Sequence, residues 1–263
     1  MFTLLKKILK TLLPELIYSI LQNMYFYLSL SLFIKFLKSI FYNKKIKIID
    51  KELVLIAQIQ RSGGTLLSQL FDGHSNLFNY PSELVLTSPK QDWGKKLNFS
   101  TIKTNSHLKR VILTQNYEKL STGKINKKTT NKFIFNPFLE KKIFKSLQTN
   151  DVRLNFNAYF TAFFNSFINY NGNKNTKKFI TAFLPRFITI DKNIDFFFRI
   201  YPNGKLISII RDPRSWLISA KKHSKYTYED TFASLELWKK NCENSIKFKN
   251  KYYKRIILIK FDD

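Results

Sequence analysis

A chain of 263 residues, 44% of them hydrophobic, is long enough to fill the core of one sizeable α/β domain or two small ones, which excludes disorder as its global state. One cysteine, Cys242, excludes an internal disulfide framework, and together with the scattered His74, His107 and His223 it matches no usual zinc-ligand spacing, so a metal-free protein is expected. The net charge of +27 points to an anionic partner, but 37 Lys against 8 Arg, with 23 Asn and 26 Phe, is a skew that AT-rich codon usage produces unaided, and about half of the basicity is assigned to it.

The first 45 residues stand apart. Leu4, Leu5, Ile8, Leu9, Leu12, Leu13, Leu16, Ile17, Ile20 and Leu21 alternate with Lys6, Lys7, Lys10, Glu15, Ser19 and Gln22 at helical spacing, which predicts an amphipathic helix with a basic face near its start. Such a helix either packs on the domain, lies in an anionic membrane surface or spans the bilayer. Pro14, Gln22, Asn23, Ser29 and Ser31 leave its apolar run short of the ~20 residues a span requires. No small-residue cleavage site follows it, so a secretory signal is not expected.

From Lys47 strands alternate with helices. Leu53 to Ile59 (LVLIAQI) is a nearly continuous apolar run, the pattern of a parallel strand covered on both faces. A glycine turn and a helix over Thr65 to Phe71 follow, with Glu83 on a loop beyond the helix. Further strands are predicted at Phe179 to Phe183, Lys205 to Ile210 and Ile256 to Lys260. The block 86–177 lacks this rhythm, contains the polar stretch 121–132 and the turn Asn171-Gly172-Asn173, and is expected to be a mostly helical insertion on the acceptor side. The expected architecture is α/β, a doubly wound parallel sheet of P-loop-like type over 46–263 behind the helical extension 1–45.

Two segments carry chemistry. In Gln60-Arg61-Ser62-Gly63-Gly64-Thr65-Leu66-Leu67 the paired glycines let successive N–H groups curl into one concavity at a helix N-terminus, and Arg61, Ser62 and Thr65 add a permanent cation and two hydroxyls. This is an oxyanion cradle. It is not a Walker A loop, since Leu66-Leu67 stands where that loop needs its Lys-Ser/Thr pair. In Lys205-Leu-Ile-Ser-Ile-Ile-Arg211-Asp212-Pro213-Arg214 a strand ends in an arginine, with Asp212 as helix N-cap and Pro213 at the first helical position. Ser219, eight residues after Arg211, lies about two turns into that helix and can turn a hydroxyl toward the same edge.

In this order the two motifs resemble the sulfotransferases that use 3′-phosphoadenosine 5′-phosphosulfate (PAPS). The segment from Arg61 to Leu67, running on to Asp72-Gly73-His74, looks like the 5′-phosphosulfate loop in the arginine form of the tyrosine and bacterial carbohydrate branches. Arg211-Asp212-Pro213-Arg214 with Ser219 looks like the 3′-phosphate motif. Roughly residues 50–85 and 178–263 carry the likeness. It implies sulfuryl transfer from PAPS, without a metal, to an acceptor hydroxyl, a carbohydrate being the leading acceptor. It also implies donor contacts from Arg61, Ser62, Gly63, Gly64, Thr65, Leu66, Arg211 and Ser219, with Arg61 catalytic as well and Glu83 as general base. His74 and His223 are lesser candidates for the base and fit better as helix-end residues.

The chain departs from the family pattern in three respects. Phe183-Leu184-Pro185 replaces a Lys-Thr-Pro, with Arg186 close by as a substitute cation. A Tyr-Glu-Asp-Leu strand end appears as Lys260-Phe261-Asp262-Asp263. The sequence stops there, short of the family's closing helices and basic loop, so a truncated form is expected. The rival to an enzyme is a non-catalytic basic protein, bound to a membrane through 1–45, with a relic nucleotide-binding domain. Nucleic acid is set aside because the lysines form no motif and the aromatics fit a core. The expected location is cytoplasmic, peripheral at the membrane.

Overall fold

The computed structural model describes residues 36–42, 46–87, 92–94, 97–99, 135–167 and 176–261. Most of the extension 1–45, the polar stretch 121–132, the turn at 171–173, His107 and Asp262 and Asp263 lie outside the described residues. Within them no helix is long and apolar enough to cross a membrane.

Five parallel strands form one sheet in the order β2-β3-β1-β4-β5, where β1 is Glu52–Ile56, β2 Leu77–Glu83, β3 Phe179–Phe183, β4 Lys205–Ile210 and β5 Ile256–Lys260. β1 is central, with Ile56 opposite Phe183 on one side and Ile207 on the other. The expected strand runs on to Ile59, but the regular strand stops at Ile56; beyond it Ala57 donates to the Ile207 carbonyl at 2.8 Å and the Gln58 carbonyl accepts the Arg186 amide at 2.9 Å.

Both faces of β1 are buried, which explains its unbroken apolar run. Leu53, Leu55 and Ala57 enter the main core, while Ile56 packs with Phe183, Ile209, Leu67 and Phe71 beneath helix α1, Gly64–Leu70. The main core is aromatic. Helices α2 (Pro137–Leu147), α3 (Val152–Asn165) and α4 (Asp191–Ile200) line it, and Trp93 sits in its middle, 4.7 Å edge-on from Phe187 and 5.1 Å from Phe156. The fully buried rings Phe156, Phe160 and Phe163 all come from α3, so α3, between β2 and β3 in sequence, is part of the main core. Each such ring contributes about 1.5–3 kcal/mol on burial.

Helix starts follow the sequence. Asn136 ahead of Pro137 accepts the amides of Phe138 and Leu139 at 3.1 Å, and Asp151 accepts that of Leu154 at 2.8 Å. Helix α5 (Pro213–His223) is capped by Asp212, and α6 (Thr231–Lys251) by Asp230.

The element hidden from the sequence is β2. Its residues LFNYPSE contain Pro81, which an edge strand tolerates because one side of its backbone faces no ladder. Its register against β3 shifts between Asn79 and Glu83. Glu83 is therefore the last residue of a strand, not a loop residue.

The strand order fixes where a ligand binds. From β1 the chain passes through α1 to the edge strand β2, whereas from β4 it passes through α5 and α6 to the opposite edge, β5. The connections diverge between β1 and β4, and in open α/β sheets ligands occupy the crevice at the carboxyl ends of such a strand pair.

Candidate active site

The loop after β1 is held from three sides. Ile59 donates its amide to Asn241 Oδ1 of α6 at 2.8 Å, Trp216 Nε1 of α5 donates to the Gln60 carbonyl at 2.8 Å, and Arg186 Nε donates to Gln60 Oε1. Arg61 then adopts a left-handed backbone, φ 68°, and Gly63, φ 93°, begins α1. No side chain caps this helix, which leaves its first amides without a side-chain acceptor.

Both glycines are required. A Cβ on Gly63 would run into the Phe261 ring, and one on Gly64 would run into the Gln58 carboxamide and come within 2.6 Å of the Phe183 ring. Gln58 is fully buried. Gly64→Ala is therefore expected to lower stability by about 1–3 kcal/mol, the usual range for overpacking, seen as a reduced midpoint in thermal or urea unfolding.

The second segment meets the first. Arg211, at the end of β4, donates from Nη1 to the Arg61 carbonyl at 3.1 Å and from Nε to Ser215 Oγ at 3.1 Å. Its guanidinium carbon lies 4.8 Å from the Phe261 ring centroid, and its own carbonyl accepts from Trp238 Nε1 at 2.9 Å. Arg61 Nε reaches Ser219 Oγ at 3.4 Å. Ser219 thus stands at the edge where its spacing from Arg211 put it, but in contact with Arg61, while Ser215 holds Arg211. Asp212 accepts the amides of Arg214 and Ser215 at 2.9 and 3.2 Å. Its carboxyl is held down to about 2, chiefly by the Arg214 side chain and then by the Ser215 amide, so it remains an ionised cap. Among the described residues no carboxylate forms an ion pair with Arg61 or Arg211. Two guanidiniums joined through the backbone, both lacking an acidic partner there, suit a ligand with two oxyanion groups.

The remaining predicted residues divide. Thr65 and Leu66 are exposed on the first turn of α1, whereas the Ser62 hydroxyl is turned inward, buried and without a hydrogen-bond partner. Glu83 is half-buried opposite Phe183, whose ring faces Gly64, which brings its backbone to the same sheet edge two strands from Arg61. Phe183 supplies an apolar wall where the lysine of the family pattern would stand. His74 accepts the Asn76 amide at Nδ1, 3.1 Å, in the turn that leads into β2, and His223 is exposed at the last position of α5. Neither histidine is at the crevice. Gln60 and Ser215 were not expected at the site; the one available signal was the position of Ser215 four residues after Arg211, one helical turn away. Among the described residues no group of three or more His, Cys, Asp or Glu could hold a metal ion.

The fold has counterparts among solved structures at low sequence identity. The solved structures it resembles include "Sulfotransferase Domain from the Curacin Biosynthetic Pathway", with TM-score 0.44 and 18% identity over 82% of this chain and 69% of that one. Another is "Sulfotransferase Domain from the Synechococcus PCC 7002 Olefin Synthase", with TM-score 0.43 and 15% identity over 84% and 71% of the two chains. No curated protein matches the sequence. The assignment rests instead on the sequence model of the sulfotransferase family, which matches residues 54–263 and so takes in both arginine loops and all but the first residues of the sheet: the chain belongs to the sulfotransferase family.

Proposed function

We propose that the protein transfers a sulfuryl group from PAPS to an acceptor hydroxyl, with a carbohydrate as the acceptor class. The observation that carries this reading is the junction of the two arginine loops across β1 and β4, where Arg211 bonds the Arg61 carbonyl and Arg61 reaches Ser219. The residues present fit such a donor. A glycine pair that no Cβ could occupy and an uncapped helix start suit a 5′-phosphate, and Arg211, anchored by Ser215, suits a 3′-phosphate. The donor, when bound, supplies an activated sulfuryl group on a phosphate leaving group that needs no proton.

The chain's own residues then have separate tasks. Arg61 and the amides of Gly64 and Thr65 hold the 5′-oxyanion and meet its growing charge, in the manner of phosphoryl-transfer sites where catalysis is positioning and electrostatics. Glu83, on the β2 side, takes the proton of the acceptor hydroxyl. Phe183 and the buried core beneath it keep water from the floor of the crevice.

Calorimetry with adenosine 3′,5′-bisphosphate and adenosine 5′-phosphate tests the donor assignment. The bisphosphate is expected to bind at least tenfold tighter, and Arg211→Ala to cost its binding on the order of 2 kcal/mol, about 30-fold, through the lost charge-assisted contact. Equal affinity for the two nucleotides would remove the 3′-phosphate assignment. Bisphosphate binding without transfer of labelled sulfate from PAPS to any sugar, phenol or tyrosine-peptide acceptor would favour the non-catalytic alternative.

A further inference from the structure

Among the described residues two that are not glycine hold a left-handed backbone, and both are arginines on loops at the carboxyl edge of the sheet: Arg61 after β1 and Arg186, φ 65°, after β3. Side chains adopt this conformation at a cost, and it concentrates where surrounding structure fixes a ligand-binding residue. The Arg186 backbone is fixed by its amide donating to the Gln58 carbonyl at 2.9 Å and by its carbonyl accepting the Thr189 hydroxyl at 2.6 Å.

The side chain is fixed as well. Nε donates to Gln60 Oε1 and Nη2 to the Tyr228 hydroxyl at 3.1 Å. Tyr228 is buried edge-on to Trp216, 5.8 Å between ring centroids, and Trp216 is the residue that holds the Gln60 carbonyl. The guanidinium is therefore locked to the framework that shapes the Arg61 loop. Both anchors are neutral. Among the described residues no carboxylate pairs with Arg186, and its Nη1 has no hydrogen-bond partner. A half-buried, immobilised cation with neutral anchors has paid its ordering cost and lacks only the anion.

Strand order says which anion. Across the carboxyl edge the residues run Glu83 at the end of β2, Arg186 after β3, Arg61 after β1 and Arg211 after β4. Arg61 and Arg211 serve the donor on the β1–β4 side, and Arg186 lies beyond Arg61 on the side of the proposed base. We propose that Arg186 binds an anionic group of the acceptor, so that preferred acceptors carry a carboxylate, sulfate or phosphate beside the hydroxyl that is modified. This specificity role rests on the sulfotransfer reading above.

The test is labelled-sulfate transfer to two matched acceptor pairs, 4-nitrophenyl glucuronide with the glucoside and 4-hydroxybenzoate with 4-hydroxybenzamide. Wild-type protein is expected to show a KM at least tenfold lower for the acidic member of at least one pair. Arg186→Gln should bring the ratio to within twofold of unity by raising the KM of the acidic member, and Arg186→Lys should restore part of it. Tyr228→Phe, which frees Nη2 without removing the charge, should raise the acidic-acceptor KM severalfold and serves if Arg186→Gln does not fold. A merely structural Arg186 would depress transfer to both members of a pair and bisphosphate affinity together. That result, or a wild type that binds the bisphosphate and shows no acidic preference on either pair, overturns the proposal and leaves the sulfotransfer reading standing. A wild type that binds no adenosine 3′,5′-bisphosphate overturns the sulfotransfer reading and Arg186 with it.

Discussion

Arg61→Ala is expected to lower sulfuryl transfer by on the order of 10³-fold and to weaken donor binding as well, because an arginine on a developing oxyanion contributes at that scale. The cation that steadies the 5′-phosphate in the ground state meets more negative charge in the transition state, so the loss in kcat exceeds the loss in affinity. The substitution also removes the Arg61 contact with Ser219, while the Arg61 backbone carbonyl that Arg211 bonds stays in place. The backbone supplies a control. At φ 68° arginine is strained and glycine is not, so Arg61→Gly should gain a net of roughly 0.5–1 kcal/mol in stability after the extra chain entropy of glycine. A variant that is more stable and yet inactive would mark Arg61 as a residue kept for chemistry at the expense of the fold. Paired unfolding curves and transfer assays on the two variants decide it; a glycine variant with wild-type turnover removes Arg61 from the mechanism.

Glu83→Gln is expected to lower turnover by roughly 10²-fold or more, with bisphosphate affinity little changed, since a general base acts on the acceptor and not the donor. The substitution keeps size and hydrogen-bonding capacity, so the half-buried end of β2 retains its pairing with Phe183. The histidines offer no replacement among the described residues. His223 lies a full helix length, about 15 Å, from the Asp212 end of α5, and His74 follows α1 at its far end. Turnover at the wild-type rate on every acceptor would place the base outside β2.

Much of the frame was legible because parallel strands buried on both faces have few sequence disguises. The bounds of β3, β4 and β5 coincide with their apolar runs, and α1 starts one residue ahead of Thr65. The two arginine loops were legible for a related reason, since Gly-Gly after one strand and Asp-Pro after another leave the backbone few choices. β2 was not, because Asn79, Pro81 and Glu83, alternate residues on one face, put two polar groups and a proline where a buried parallel strand calls for apolar residues. Their places are set by partners distant in sequence: Asn79 donates to the Ser68 carbonyl at 3.0 Å and accepts from Thr181 at 2.8 Å. The same holds for Ser62. Its hydroxyl looked like a ligand group by position, and only the three-dimensional turn of the loop sends it inward. Arg186 drew notice as a nearby cation, but its locked geometry depends on Tyr228, 42 residues away.

The central place of β1 has a consequence for how the chain is made. Among the described residues it is the first strand to be synthesised, yet both of its neighbours come late: β3 begins at Phe179 and β4 at Lys205. At ordinary translation rates of about 5–20 residues per second, Leu53-Val54-Leu55-Ile56 leaves the ribosome roughly ten seconds before Phe179 exists to pair with it. During that interval a strand with four apolar residues of five has two open edges, and its face toward the main core is uncovered. Nascent chains stalled between β2 and β3 are thus natural clients for a chaperone, and slower translation through the intervening block prolongs the exposure.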